Sequence, residues 1–250
     1  MATITVHTAA ERPDLWEAGS QAPSVWPEYN THGDVLSQWW GQLDKELPEF
    51  QFVLYDEDAG SVLAQGFTGP LTWTGQVEAL PDGIDSAIEM IFAQHRSHAP
   101  VSALCALAAE IPRQGRGRGL ATEILAGMRT IGERHGLRHL IAPVRPSEKE
   151  RYPLTPIENY VRWRRADGQL LDPWLRVHER LGAKVATPLP RSLRITGTVA
   201  EWESWTRLAF PESGDYVFPA GLATVRIDRS ADLGSYWEPN VWLIHPEIGA

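Results

Sequence analysis

Cysteine is almost missing: among 250 residues only Cys105 carries a thiol. An internal disulfide is therefore excluded, and no second thiol or clustered ligand set stands beside Cys105 in sequence. Its setting in the apolar run VSALCALAA reads as a buried, inert thiol rather than a nucleophile. No apolar run reaches transmembrane length, and the first residues lack a basic region followed by an apolar stretch, so a reducing cytoplasm is the expected compartment and no membrane partner is expected. Positive charge is also short, with 23 Lys and Arg against 32 Asp and Glu and a formal net charge of −9. That balance disfavours general nucleic-acid binding. It leaves room for an anionic ligand wherever arginines gather, as they do at Arg113, Arg116 and Arg118. Internal repeats and long flexible linkers are lacking too. A single domain over 1–250 is expected, with 1–48 as a lead-in and 197–250 as an extension packed on the core, since the extension is short for an autonomous core. No oligomeric state can be read from the pattern.

Tryptophan, by contrast, is plentiful at eleven residues, enough to line a ligand pocket or simply to pack. Periodicity predicts a short strand at 4–6, an irregular approach over 11–32, and a helix from Asp34 that ends before Pro48. Strands are expected at 50–55 and 61–68 around the acidic turn DEDAG, and a helix at 84–95, where Ile84, Ala87, Ile88 and Ile91 recur at helical spacing. The run 101–111 suits a buried strand stopped near Pro112. A helix follows over 117–135 with Leu120, Ile124, Met128 and Ile131 on its packed face, ended by Gly136. A buried strand is expected at 139–144. This strand–helix–strand order favours an α/β sheet with a crossover helix. Helices near 156–165 and 172–181 and strands at 184–185, 192–196, 216–218, 222–228 and 241–244 complete the expectation.

The stretch Gln114-Gly115-Arg116-Gly117-Arg118-Gly119 links the buried strand to the crossover helix. Glycines let the main chain turn tightly and bring N–H groups near phosphate oxygens. The helix start adds unsatisfied N–H groups and the positive end of its dipole. The same stretch also reads as a plain connecting turn. Its glycine spacing is not the GxGxxG of a dinucleotide loop, and no Lys-Ser or Lys-Thr follows as in a nucleotide P-loop.

With that motif in place, the chain resembles the GCN5-related N-acetyltransferase (GNAT) superfamily over roughly 50–196. The signature Q/R-x-x-G-x-G/A is matched by Gln114–Gly119, followed by Leu120-Ala121, and the later HERLGA at 178–183 is similar to the family's YxxxGF-like helix ending. The resemblance implies an α/β fold with a mixed, splayed central sheet flanked by helices, here carrying additional C-terminal strands. It implies acetyl-CoA or another acyl-CoA as acyl donor and a small-molecule amine as acceptor. It places the pyrophosphate on Gln114, Gly115, Arg116, Gly117, Arg118, Gly119, Leu120 and Ala121, and main-chain N–H groups of Ala109 and Ile111 near the thioester. The polar segment 145–152 would then form part of the cleft mouth. Pro112 stands two positions ahead of Gln114 rather than the three common in relatives. The connection 147–171 and the segment after Gly197 enlarge the minimal core. Those departures fit a larger acyl donor, a specialised amine or a degenerate cofactor site.

Transfer of an acyl group to nitrogen needs a neutral amine, a positioned thioester and a proton for the departing thiolate. Glu110, set between apolar residues and Pro112, reads either as a base whose burial raises its pKa or as an outward strand-end residue. His178 stands where the resemblance places a frequent tyrosine, and reads either as the acid, if protonated, or as a structural residue. Tyr152 and Tyr160 are alternative acids, and Glu78, Asp82 and Asp85 alternative amine contacts. Two other classes remain open at this level: a noncatalytic acyl-CoA or metabolite-binding module, and a structural or interaction protein.

Overall fold

The computed structural model describes residues 3–249 apart from 113, 114 and 116. Nine strands among the described residues form one sheet: β1 (Ile4–Thr8), β2 (Phe52–Asp56), β3 (Ser61–Leu71), β4 (Ala103–Glu110), β5 (His139–Val144), β6 (Lys184–Gly197), β7 (Gly214–Tyr216), β8 (Val225–Asp228) and β9 (Leu233–Ile244). The order is β1-β2-β3-β4-β5-β9-β8-β7, with β6 also paired to β9. Only β4 and β5 run parallel among these pairs. The helices are α1 (Pro13–Ser20), α2 (Leu36–Trp40), α3 (Leu43–Glu46), α4 (Ile84–Arg96), α5 (Leu120–Arg134), α6 (Ile157–Tyr160), α7 (Pro173–Arg180) and α8 (Val199–Thr206). None among the described residues is long and apolar enough to cross a membrane.

The crossover is α5, as the spacing of its apolar residues predicts. Leu120, Ile124, Met128 and Ile131 are all buried, each worth about 1.5–3 kcal/mol against exposure. Gly127 brings α5 close over Phe52. The opposite face of the sheet takes α1 and α4, through Gly19 against Gln65 and Gly69 against Ile91. Cys105 is fully buried in β4, and burial pushes its thiol pKa up.

Several elements depart from the pattern reading. The helix expected from Asp34 is broken into α2 and α3 at Gly41 and Gln42. The approach over 11–32 contains α1, opened by Pro13 with Asp14 in the first turn. Past Gly197 stands α8, whose Thr198 and Glu201 form a reciprocal capping box. The two strands expected at 184–185 and 192–196 are one, β6, interrupted by irregular register opposite β9. The strand expected at 241–244 starts eight residues earlier, at Leu233. Pro239 hides it: proline breaks a strand pattern, yet it is tolerated where the β6 register slips.

Candidate active site

The two parallel strands part company midway. β4 pairs with β5 only from Ala103–Cys105 against His139–Ile141. Beyond that, β4 stays with β3 up to Glu110, and β5 follows β9 through Val144. A bulge at Leu107, where Phe67 faces Ala108 and Thr68 faces Ala106, bends β4 at the point of divergence. The result is a cleft of about 1490 Å³ lined by Ala106–Ala109 on one side and Ala142–Val144 on the other. The small side chains of Ala106, Ala108 and Ala109 keep the β4 side shallow, and the main-chain groups facing the gap lack a strand partner there. An extended ligand bearing amides can take that place, as a strand would.

The glycine turn closes one end. Gly115 donates its N–H to Pro112 O at 2.8 Å. Gly117 and Gly119 have φ of +78° and +82°, and a Cβ added to either would meet nothing within 4 Å. Positive φ, rather than crowding, is what demands glycine here. Gly119 caps α5, so the first N–H groups of Leu120 and Ala121, both lining the cleft, are available to an anion. Arg118 is exposed. Gln114 and Arg116 of the motif, and Arg113 before it, lie outside the described residues.

Ala109 and Ile111 line the cleft, but Glu110 between them points to the other face of β4. There it accepts a 2.6 Å hydrogen bond from Trp26 Nε1 and borders a small neighbouring cavity with Gln65 and Pro112. Burial raises its carboxyl pKa, against the opposing effect of the Trp26 bond.

His178 sits on the inner side of α7. Asp172 fixes the start of that helix by accepting from Trp174 N and Leu175 N, and Gly182, with φ +85°, ends it. The imidazole is 1% exposed and reaches the cleft. Burial, with His245 alongside, holds its pKa well below the ordinary histidine value. It is therefore neutral near pH 7, and any proton it offers is that of a neutral N–H rather than an imidazolium. Glu110 and His178 border different cavities and are not brought together.

Three polar residues on the far wall escaped the pattern reading or were read only as mouth. Glu238 is 2% exposed and meets Arg145 Nε at 3.1 Å, Asn30 Nδ2 at 3.0 Å and the Tyr29 hydroxyl at 3.2 Å. Arg145 also donates from Nη2 to Tyr29 at 3.0 Å and to Ala220 O at 2.8 Å. Asn240 donates to Pro143 O at 3.0 Å, while its buried Oδ1 has no partner among the described residues. The signal was the polar pair Glu238 and Asn240 inside the apolar run SYWEPNVWLI.

No protein-family model matches the chain. It is 32% identical, over 97% of its length and 93% of the relative's, to the arginine N-acetyltransferase avaD of Aspergillus versicolor. The chain belongs to the GCN5-related N-acetyltransferase superfamily. This GNAT protein is an acyl-CoA-dependent N-acyltransferase. Its fold is similar to that of the loading GNATL domain of CurA from Lyngbya majuscula, with a TM-score of 0.57 at 16% identity and 98% of each chain covered. A GphF GNAT-like decarboxylase in complex with isobutyryl-CoA gives 0.56 at 15% identity, again with 98% of each covered. The parted β4 and β5 thus belong to the mixed α/β, splayed GNAT sheet, flanked by helices and extended by C-terminal strands.

Proposed function

We propose that this GNAT protein moves an acetyl or other short acyl group from its CoA thioester to the amine of a small molecule of the arginine class. The observation that carries this reading is the parting of β4 from β5 beside a glycine turn and a helix start. An acyl-pantetheine arm fits along the unpaired β4 edge, with N–H groups of Ala109 and Ile111 toward the thioester carbonyl. The pyrophosphate lies on the turn, held by Gln114, Gly115, Arg116, Gly117, Arg118 and Gly119 with Leu120 and Ala121. The amine enters past the lead-in residues Asn30 and Trp40 and the wall of Arg145, Glu238 and Asn240, all of which border the same cleft. The acceptor class is carried over from the arginine-acetylating relative, which matches nearly end to end.

In the reaction the amine nitrogen attacks the thioester carbon, and the new oxyanion is met by main-chain donors. The C–S bond then breaks with its electron pair on sulfur. His178 faces the departing sulfur as a neutral donor. Glu110 contributes as a base only through water, because its carboxylate borders the smaller cavity and Trp26 Nε1, which donates to it, has no lone pair with which to pass on a proton. The whole chain acts as one domain, supported by the C-terminal strands β7, β8 and β9 joining the same sheet. A reducing cytoplasm suits its one buried thiol. The test is a screen of acetyl-CoA and longer acyl-CoAs against arginine and related amines, read by product mass and released CoA thiol. N-acylated arginine or a close analogue is expected. CoA binding with no amide product from any pair would overturn the transferase assignment in favour of a binding module.

A further inference from the structure

Two buried imidazoles lie end to end behind the cleft. His178 Nδ1 and His245 Nε2 are 2.9 Å apart, and His245 is 5% exposed. At the outer ends, His178 Nε2 and His245 Nδ1 are buried and without partners among the described residues. Trp174 packs edge-on against the His178 ring, with centroids 4.5 Å apart, and holds that ring in place. Among the described residues the charge acting on His245 is Arg129 of α5, whose guanidinium donates to the carbonyls of Pro246 and Glu247. Burial, then Arg129, brings the His245 pKa down to about 4. Both rings are thus neutral near pH 7, and a single proton is shared between them.

That proton has two possible places. If His178 donates from Nδ1, then His245 must carry its own proton on Nδ1, where a buried N–H finds no acceptor. If His245 donates from Nε2, the unpaired N–H is instead that of His178 Nε2. Each arrangement leaves one N–H and one lone pair without a partner, and a buried orphan N–H is the costlier group. The two differ in where that N–H lies: His178 lines the cleft and His245 does not, so only in the second arrangement can a ligand in the cleft accept from it.

We propose that His245 is a positioning residue that donates its Nε2–H to His178 Nδ1, fixing His178 in the tautomer whose Nε2–H faces the acyl-transfer cleft. This rests on the reading that His178 faces the thioester sulfur. When the C–N bond forms and the C–S bond breaks, the pair goes to sulfur and the surplus proton of the nitrogen reaches the thiolate through water. His178 keeps its own proton and stabilises the thiolate by a hydrogen bond. Full transfer would leave an imidazolate, a far stronger base than the thiolate it served.

The tautomer can be read without any turnover, by ¹⁵N NMR of the histidine-labelled whole chain. The expected result is a neutral His178 protonated on Nε2 from about pH 6 to 8, with loss of that signature in His178→Phe to assign it. Protonation on Nδ1, or a cationic ring in that range, overturns the proposal. Kinetics add a second arm, once a donor and amine are in hand. His245→Phe should lower kcat about tenfold, the value of one hydrogen bond, with KM for acyl-CoA unchanged. His245→Gln, whose amide N–H reaches the same place, should recover most of that loss. A large loss in His178→Phe with wild-type kcat in folded His245→Phe would overturn the positioning role alone. Wild-type kcat in His178→Phe would instead sink the reading that His178 serves the sulfur.

Discussion

On the β4 side, the cleft is walled by main chain: the strand edge at Ala106–Ala109, the turn at Gly115–Gly119 and the first turn of α5. On the β9 side it is walled by side chains: Glu238, Arg145 and Asn30, tied together with Tyr29 behind them, and Asn240, which donates to Pro143 O. The first wall needs only small residues in contiguous order, because every residue supplies an N–H whatever its side chain. The second needs particular groups brought from the lead-in, the end of β5 and the last strand. A main-chain wall suits a ligand that does not vary, such as the CoA carrier. A side-chain wall can be rewritten residue by residue, and suits the acceptor.

The contrast predicts unequal sensitivity to mutation. The largest effect should come from the β9 wall, where Glu238→Ala leaves the Arg145 guanidinium without its carboxylate in a nearly dry site. Removing one partner of a buried pair costs about 3–5 kcal/mol, so denaturant unfolding should show a marked drop in stability. The double change Arg145→Met with Glu238→Leu should be less damaging than Glu238→Ala. If Glu238→Ala unfolds like the wild type, the network is not what holds this wall.

The histidine pair behind the same wall should set the acid limb of stability. The folded state lowers the proton affinity of both rings, so the unfolded chain binds more protons below about pH 6.5. Stability should therefore be fully present above that pH and fall as pH drops through about 4, where His245 titrates. His245 alone accounts for roughly 3 kcal/mol of that loss. Unfolding curves of His245→Phe against pH should lack its share of the slope.

On the β4 wall the effects should be smaller and confined to ligand. Gly117→Val forces a β-branched residue into positive φ, a conformation costing about 1–2 kcal/mol, and fills space now open at the turn. CoA affinity by calorimetry should fall at least about tenfold, with the global fold retained. Unchanged affinity in a folded variant would remove the turn from the cofactor site. Smallest is Glu110→Gln. Burial raises the Glu110 pKa, so ionisation costs stability above its folded pKa and costs nothing below the unfolded value. The amide still accepts from Trp26, and stability should rise slightly at neutral pH, read as a small upward shift of the denaturant midpoint. That gain should vanish below about pH 4.

This asymmetry also explains what could be read from sequence. The β4 wall is local: strand, glycine turn and amphipathic helix follow one another, and the buried face of α5 stands at Leu120, Ile124, Met128 and Ile131 as its spacing implies. The β9 wall is non-local. Glu238 and Tyr29 are bonded across 209 positions, and no periodicity links them. The direction of the Glu110 side chain was likewise hidden, because it depends on strand phase after the bulge at Leu107. His178 could be placed at the cleft from HERLGA. Its partner His245 could not, since IHPEIGA carries no pattern that ties it to α7. The helices α1 and α8 did leave local marks, in Pro13 with Asp14 and in the Thr198–Glu201 box, which are capping signals rather than periodic ones.

The position of β9 in the sheet also sets a timetable for biosynthesis. It fills the place between β5 and the outer strands β8 and β7, and β6 lies along it as well, yet among the nine described strands it is the last to be synthesised. Until it emerges, the apolar strand β5 has an open edge and β6 has no partner. A nascent or truncated chain therefore exposes a ready template for pairing with other chains. The same insertion that builds the β9 wall makes the emergence of β9 the moment at which the sheet stops being adhesive.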